Sequence, residues 1–471
     1  MAVDPRQVVA GFLTLSMFVM LGNMIKHDHF TPVGAGQEEH VVCSQKRIRS
    51  SITVKNSTKL YAFSLPKERF LESFTTVFIL SNAQLLGLEA TGIESNEIKI
   101  ADTTEMSKVN KAGVDLPKET AEEIRPCWSK PRSNVQESKG FVTFSLTMGP
   151  EYHISQITDA VVIARYLGAT LVLPEIRGNE LGKRRKFEDM YDVDKFMTSL
   201  DGVVKVVHSL PNAVSSKKPA VVRVPNRVTE EFITGTIEPI FQRNNYLRLA
   251  TIFSSVSLKQ KESGNKDLDS TACLAMFSGL QLKPEFSAVA KHMLDKLKEI
   301  SEKSDGMVIA IDLQTELLEK KICKTNGGAR RRGCYYPQEV VHFLKKVGFS
   351  ADTTIYLTET WWHKSLDTLK EAFPNTYTKD DIMPAANKGE FLKSGDSYLA
   401  RALDLKICSE SDVFVPAIPG LFYGHVAGKR IAAGLTNIIV PAPVSSSSAL
   451  ASEFVSTYVS KKSHLAYSCY C

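Results

Sequence analysis

Three features of the sequence predict an α/β protein with two Rossmann-like lobes behind an N-terminal transmembrane helix. An uncharged run of 18 residues lies near the start, at residues 8–25. From Gly140 onward, short apolar runs alternate with helical patterns, and the alternation restarts at Asp305-Gly306. The chain has 471 residues, 43% hydrophobic and 23% charged, which excludes a disordered or collagen-like protein and allows two to three domains. Its 58 basic and 52 acidic residues leave a net charge of +6. No arginine–aromatic array accompanies that charge, which argues against a nucleic-acid partner.

Residues 8–25 (VVAGFLTLSMFVMLGNMI) span about 27 Å as a helix, enough to cross a bilayer core. No small-residue cleavage site follows, so the run reads as an uncleaved signal anchor rather than a cleaved signal peptide. Residues 1–7 are then a cytosolic tail and 26–138 a lumenal stem rich in Lys, Glu, Ser and Thr. The stem carries a glycosylation sequon at Asn56 and an apolar stretch at 74–88 that is broken by Ser81, Asn82 and Gln84. That stretch reads as a helix docked on the body rather than a second membrane span.

The N-terminal lobe, residues 139–300, opens with the strand FVTFSL at 141–146. A helix follows with Ile154, Ile157, Val161 and Val162 at helical spacing and Gly168 at its stop, then the strand TLVLP at 170–174. This βαβ unit implies a parallel sheet. VVRVP at 221–225, a helix from Thr229 and YLRLATIF at 246–253 continue the series, and a long amphipathic helix starts at Pro284. In the C-terminal lobe, 301–448, strands are expected at 307–313, 354–358, 413–416 and 437–440. Helices at 337–347, 361–373, 398–409 and 422–433 separate them, and 449–471 forms an extension. Ligands of such sheets bind at the carboxyl ends of the strands, which places the expected site between the lobes.

Eight cysteines permit disulfides in the secretory pathway, and Cys323 with Cys334, bracketing KTNGGARRRG, is the favoured pair. Cys273 and Cys408 lie in apolar helical patterns, where buried thiols are an equal alternative. Two D-x-D triplets, Asp192 to Asp194 and Asp267 to Asp269, have the form of a metal-diphosphate site, but the first reads as helix-start chemistry. No metal is expected at either. The run Lys183-Arg184-Arg185-Lys186 reads as a solvated loop that can also meet an acidic acceptor.

Several segments resemble the plant protein O-fucosyltransferase-like family, closest to its mannan-synthesis-related branch. They are SLTMGPEYHISQITDAVVIARYLGATLVLPEIRG at 145–178, FEDMYDVDKF at 187–196, ACLAMFSGLQLKPE at 272–285, SDVFVPAIPGLFYGHVAGKRIA at 411–432 and SKKSHLAYSCYC at 460–471. The N-terminal apolar segment is similar too, whereas most of the stem is not. The resemblance implies a GT-B-type glycosyltransferase of the Golgi membrane, single-pass type II with a lumenal body. It further implies inverting transfer from a nucleotide sugar, with GDP the expected nucleotide and no metal.

The loop from Met148 to His153 joins a strand to a helix, and its amides and the helix N-terminus can hold a phosphate. Glu151 or His153 is the candidate base for an acceptor hydroxyl, the alternative being a solvated carboxylate and a helix-start histidine. The resemblance sets a Gly-Gly-x-Asn-type motif here, of which this chain keeps Gly149. It sets His-x-Arg at Asp312-Leu313-Gln314, so Gln314 stands where a phosphate-gripping arginine belongs, and an amide cannot offset diphosphate charge. The nearest replacement cations are Arg330, Arg331 and Arg332, otherwise a solvated basic loop. The resemblance further places Ser411, Asp412, Lys429 and Arg430 near the nucleotide, with a turn role the alternative for Asp412.

Two functions follow. One is a glycosyltransferase of cell-wall mannan biosynthesis, acting on a polysaccharide or glycan acceptor. The other is a catalytically weak or inactive accessory protein of a mannan synthase, which the altered loop and Gln314 favour. A lectin-like reading would need cleft aromatics, and Trp361-Trp362 opens a helix where packing explains it better.

Overall fold

The apolar run at 141–146 forms two strands rather than one: β1 (Phe141–Thr143) and β2 (Ser145–Leu146) pair with different sheets. The computed structural model describes residues 114–116, 124–133, 137–178, 184–260, 264–320, 322–325, 328–392, 397–443 and 449–471. The cytosolic tail, the membrane run 8–25, Asn56 and the stretch 74–88 lie outside the described residues. Among the described residues no helix is long and apolar enough to cross a membrane.

Helix α1 (Pro150–Leu167) has proline in its first turn and ends on Gly168 at φ 64°, a left-handed position that glycine adopts without a Cβ clash. Strands β3 (Thr170–Val172), β4 (Glu175–Arg177) and β5 (Arg184–Arg185) follow, then α2 (Val193–Leu200) and β6 (Val206–Val207). Strands β7 (Ala220–Pro225) and β8 (Tyr246–Ile252) complete a five-stranded parallel sheet of order β6-β3-β1-β8-β7. The helix expected from Thr229 forms, with a π-helical turn at Ile233–Ile237 inside it. Beyond α3 (Lys266–Cys273), the amphipathic α4 (Pro284–Ser301) leads into the second half.

There β9 (Val308–Asp312), β10 (Thr354–Leu357), β11 (Thr376–Tyr377) and β12 (Val413–Pro416) make a second parallel sheet of order β11-β10-β9-β12. Helices α5 (Pro337–Lys346), α6 (Ser397–Glu410) and α7 (Leu421–Ala432) flank it. Strands β9, β10 and β12 are buried on both faces, as parallel strands covered by helices must be. Alternate residues therefore serve two cores. Val308, Ala310, Tyr356 and Phe414 join the core that runs through α4, α6 and α7 into the first sheet, while Ile309, Ile311, Ile355 and Val415 face a second core.

Three expectations need correction. The run 437–440 is not a strand: Ile438 and Ile439 make single bridges to Phe414 and Val455, and Pro441 ends the pairing. The helix expected from Trp361 starts at Lys364. The end of the expected stem belongs to the body, since Val114 and Leu116 are buried in the second core and Cys127 is bonded to Cys471. Cys323–Cys334 forms as expected, Cys273 pairs with Cys469, and Cys408 remains a buried thiol.

The extension straps the halves together. Ile439 bridges Val455, Leu465 donates its N–H to Leu258 O, and His464 Nε2 lies 3.0 Å from Gly424 O. A Cβ on Gly424 would meet Leu258 at 2.9 Å, and one on Gly428 would meet His464 at 2.6 Å, so two glycines in α7 admit this strap.

Candidate functional site

Each sheet changes direction once. The chain leaves β1 toward β3 and β6, then returns on the other side as β7 and β8. It leaves β9 toward β10 and β11 and returns as β12. The carboxyl ends at such switch points are where an open parallel sheet leaves a crevice. Asp312 ends β9 at that point, and Glu151 stands in the first turn of α1, just beyond β2.

The sequence builds the α1 entry tightly. Thr147 donates its N–H to Gln156 Oε1 at 3.1 Å, and Gln156 Nε2 returns a bond to Thr147 Oγ1 at 2.9 Å. Met148 is held at φ 67°, a left-handed geometry that glycine adopts more easily. Glu151 then folds back over Gly149, where a Cβ would lie 2.4 Å from Oε2. That oxygen is buried with no hydrogen-bond partner. Burial raises the proton affinity of the Glu151 carboxyl, against the pull of Arg401.

His153 is fully buried. Its Nδ1 lies 2.7 Å from Tyr191 Oη, its Nε2 has no partner, and burial holds the ring down to about 3. It is a neutral imidazole that packs edge-on to Tyr191 and Tyr398. Glu151 is the better placed of the two to take up a proton.

Facing Glu151 is a charged group absent from the sequence-based candidates. Arg401, on α6, donates to Asp312 Oδ1 at 2.9 Å, lies 3.7 Å from Asp404, and stacks on the Phe422 ring at 3.4 Å from its centroid. Asp404 also accepts from Lys379 Nζ at 2.8 Å and from Tyr356 Oη at 2.7 Å. Burial raises the Asp404 carboxyl, and Lys379 and Arg401 oppose that. Burial works against the Arg401 charge, yet Asp312, Glu151 and Asp404 together hold it above its usual range. Two cations thus meet two carboxylates, and Glu151 is the fifth, unpaired group. The available signal was the pair Arg401 and Asp404 at i, i+3, interleaved with the apolar Leu399, Ala400, Leu403 and Leu405, which implies a buried partner for each.

The other candidates divide. Gln314 is half-buried beside this cluster, its amide donating to Thr358 O at 3.4 Å. Arg330 pairs with Glu339 and lies over Tyr336, while Arg331 and Arg332 are exposed and make no ion pair among the described residues. Their disulfide-closed loop packs at the carboxyl end of β12: Tyr335 donates its N–H to Ala417 O at 3.0 Å, and Gly333 lies against Pro419.

Ser411, Asp412 and Arg430 sit at the opposite end of the sheet. Asp412 accepts from the Val308 N–H at the start of β9, about 13 Å of strand away from Asp312. Ser411 is buried and bonds Val413 O. Arg430 is 0% exposed and donates to the carbonyls of Ser411, Asp412 and Asn437. These three hold the turn between α6 and β12 and do not reach the cluster around Asp312. Lys429 lines a separate cavity. Of the D-x-D aspartates, Asp192 caps α2 and Asp267 takes the Arg165 guanidinium at 2.9 and 3.0 Å.

Two parallel sheets flanked by helices, with a charged cluster at a switch point, define an α/β fold of the glycosyltransferase kind. The chain belongs to the family described as GDP-fucose protein O-fucosyltransferase, which it matches over residues 152–433. It is 44% identical over 473 residues to the protein MANNAN SYNTHESIS-RELATED 2 of Arabidopsis thaliana, covering 100% of both chains. It is 39% identical to the protein MANNAN SYNTHESIS-RELATED of Trigonella foenum-graecum, again with full coverage of both. Among solved structures, POFUT1 in complex with GDP covers 65% of this chain and 100% of its own, at 12% identity and a TM-score of 0.40.

Proposed function

We propose that this protein is an inverting glycosyltransferase of cell-wall mannan biosynthesis that takes its sugar from a nucleotide donor, GDP being the nucleotide. The observation that carries this reading is the buried, unpartnered Glu151 oxygen at the start of α1, facing the Asp312–Arg401 pair. A carboxyl with raised proton affinity at a switch-point crevice is suited to accept the proton of an acceptor hydroxyl. In the transfer, the acceptor oxygen bonds to the anomeric carbon, its proton passes to Glu151, and the bond to the leaving diphosphate breaks. The N-terminus of α7, which has no side-chain cap, and the neighbouring Arg331 and Arg332 loop are the groups for the diphosphate, with no metal. The family description and the names of the full-length relatives support the donor class and the mannan context. The body would lie in the Golgi lumen, anchored by residues 8–25.

A second reading is supported by a specific observation. The Arg401 charge is already matched by Asp312, and Gln314 brings no charge to the end of β9. A site balanced without a ligand fits an accessory protein that binds and stabilises a mannan synthase. Calorimetric titration of the protein with GDP, UDP and their sugar conjugates separates the two. Binding selective for GDP, with donor affinity kept but transfer lost in Glu151→Gln, supports the transferase. Absence of binding by any nucleotide to the folded protein overturns it and leaves the accessory role.

A further inference from the structure

A second cavity, of about 230 Å³, lies between the first turns of α1 and the far half of α6. Its lining includes the apolar Pro150, Ile154, Leu280, Leu282 and Leu405. It also includes the charged Lys406, Glu410 and Lys429. Lys406 is paired with Glu410, four residues on along α6. Lys429 is half-buried and has no hydrogen bond or ion pair among the described residues. Burial lowers its proton affinity, the neighbouring Lys406 lowers it further, and Glu410 offsets part of this. A cation in this setting is costly unless something negative meets it. Glu410 is shared with Lys406, so the cavity carries one uncompensated positive charge.

The remaining polar groups narrow the class of ligand. Ser287 Oγ and the Gln281 amide sit at the lining without partners among the described residues, next to the aliphatic wall. Hydroxyl-binding groups beside apolar surface suit a sugar ring, which has polar edges and C–H faces. The volume suits one ring rather than a nucleotide.

We propose that this cavity is a binding site for a singly charged, carboxylated pyranose, a hexuronate, whose carboxylate pairs with Lys429. The site adjoins the Glu151–Arg401 cluster through Pro150 and Tyr191 but shares none of its charged groups, and it does not depend on the transferase reading. It gives the protein a second carbohydrate contact, formed on α6 by Leu405, Lys406, Ser409 and Glu410 rather than by Arg401 and Asp404.

The test is calorimetric titration of the full chain with glucuronate, with mannose as the neutral probe and mannose 1-phosphate as the phosphate probe. Glucuronate should bind at least tenfold more tightly than either. Lys429→Met should weaken it at least tenfold with thermal stability unchanged or raised, and Glu410→Gln, which frees Lys406, should tighten it. Equal binding of mannose, tighter binding of mannose 1-phosphate, no glucuronate binding, or full affinity in Lys429→Met would each overturn the proposal. The opposite expected signs of Lys429→Met and Glu410→Gln separate a lost contact from a damaged fold.

Discussion

Met148 adopts φ 67° with its side chain 43% exposed, so a non-glycine residue occupies a left-handed position without deep packing to hold it there. The backbone at the start of α1 has a geometry that suits glycine. Such a conformation costs about 1–2 kcal/mol in an L-residue, partly offset by the entropy that a glycine would lose on folding. Met148→Gly should therefore raise stability by up to about 1 kcal/mol, read as a higher urea midpoint with unchanged slope. A lower midpoint would show that the methionine side chain holds the loop. Arg430 illustrates the opposite relation. In sequence it is a basic residue near a glycine-bearing loop, open to a phosphate role. In the fold it is fully buried and its guanidinium is taken up by four backbone carbonyls.

A buried polar contact between helices α1 and α7 is Ser155 Oγ to His425 Nε2 at 3.1 Å. Burial holds His425 down to about 3, below the ordinary 6.5. The unfolded chain therefore takes up the proton first, and the stability present above pH 6.5 is lost as pH falls toward 3. His425→Gln keeps a polar group at this position and removes the titration. Between pH 6 and 4 its stability should fall less steeply than that of the unmodified protein, by up to about 1.4 kcal/mol per pH unit. Parallel slopes in a pH series of urea melts would refute this. Taking the difference cancels the opposing effect of Glu151 and Asp404, whose raised carboxyls favour the folded state as pH falls.

At the same scale the sequence was most legible where burial is symmetric. VFVP became β12 at its expected limits because both faces are covered, which demands an uninterrupted apolar run. Gly168 and Pro284 marked a helix end and a helix start for local reasons of φ and missing N–H. The site was less legible. Glu151 follows from a strand–loop–helix pattern, but Arg401, which faces it, is 250 positions away and looks like part of an ordinary helix. Asp412 adjoins β12, yet on the wrong end of it. Strand direction assigns the end, and a motif read alone carries no direction.

Across the whole molecule, residues 449–471 tie elements from both halves. Tyr458 Oη accepts the Leu258 N–H, Lys259 bridges His464, and Cys469 and Cys471 bond to Cys273 and Cys127. Replacing Cys469 and Cys471 together with serine should lower stability by about 2–5 kcal/mol per bond removed. It should also expose the 449–471 segment to limited proteolysis. An unchanged melting temperature and unchanged cleavage pattern would show that the hydrogen bonds of the strap suffice.

Those two bonds also impose an order on biogenesis. They reach back 344 and 196 residues, whereas Cys323 and Cys334 lie 11 apart. At synthesis rates of about 5–20 residues per second, Cys127 waits roughly 20–70 s for its partner to emerge. During that wait it is a reduced thiol in the company of Cys273, and a bond between them would have to be exchanged later. The yield of native protein should accordingly depend on the supply of disulfide isomerase in the compartment where it is made.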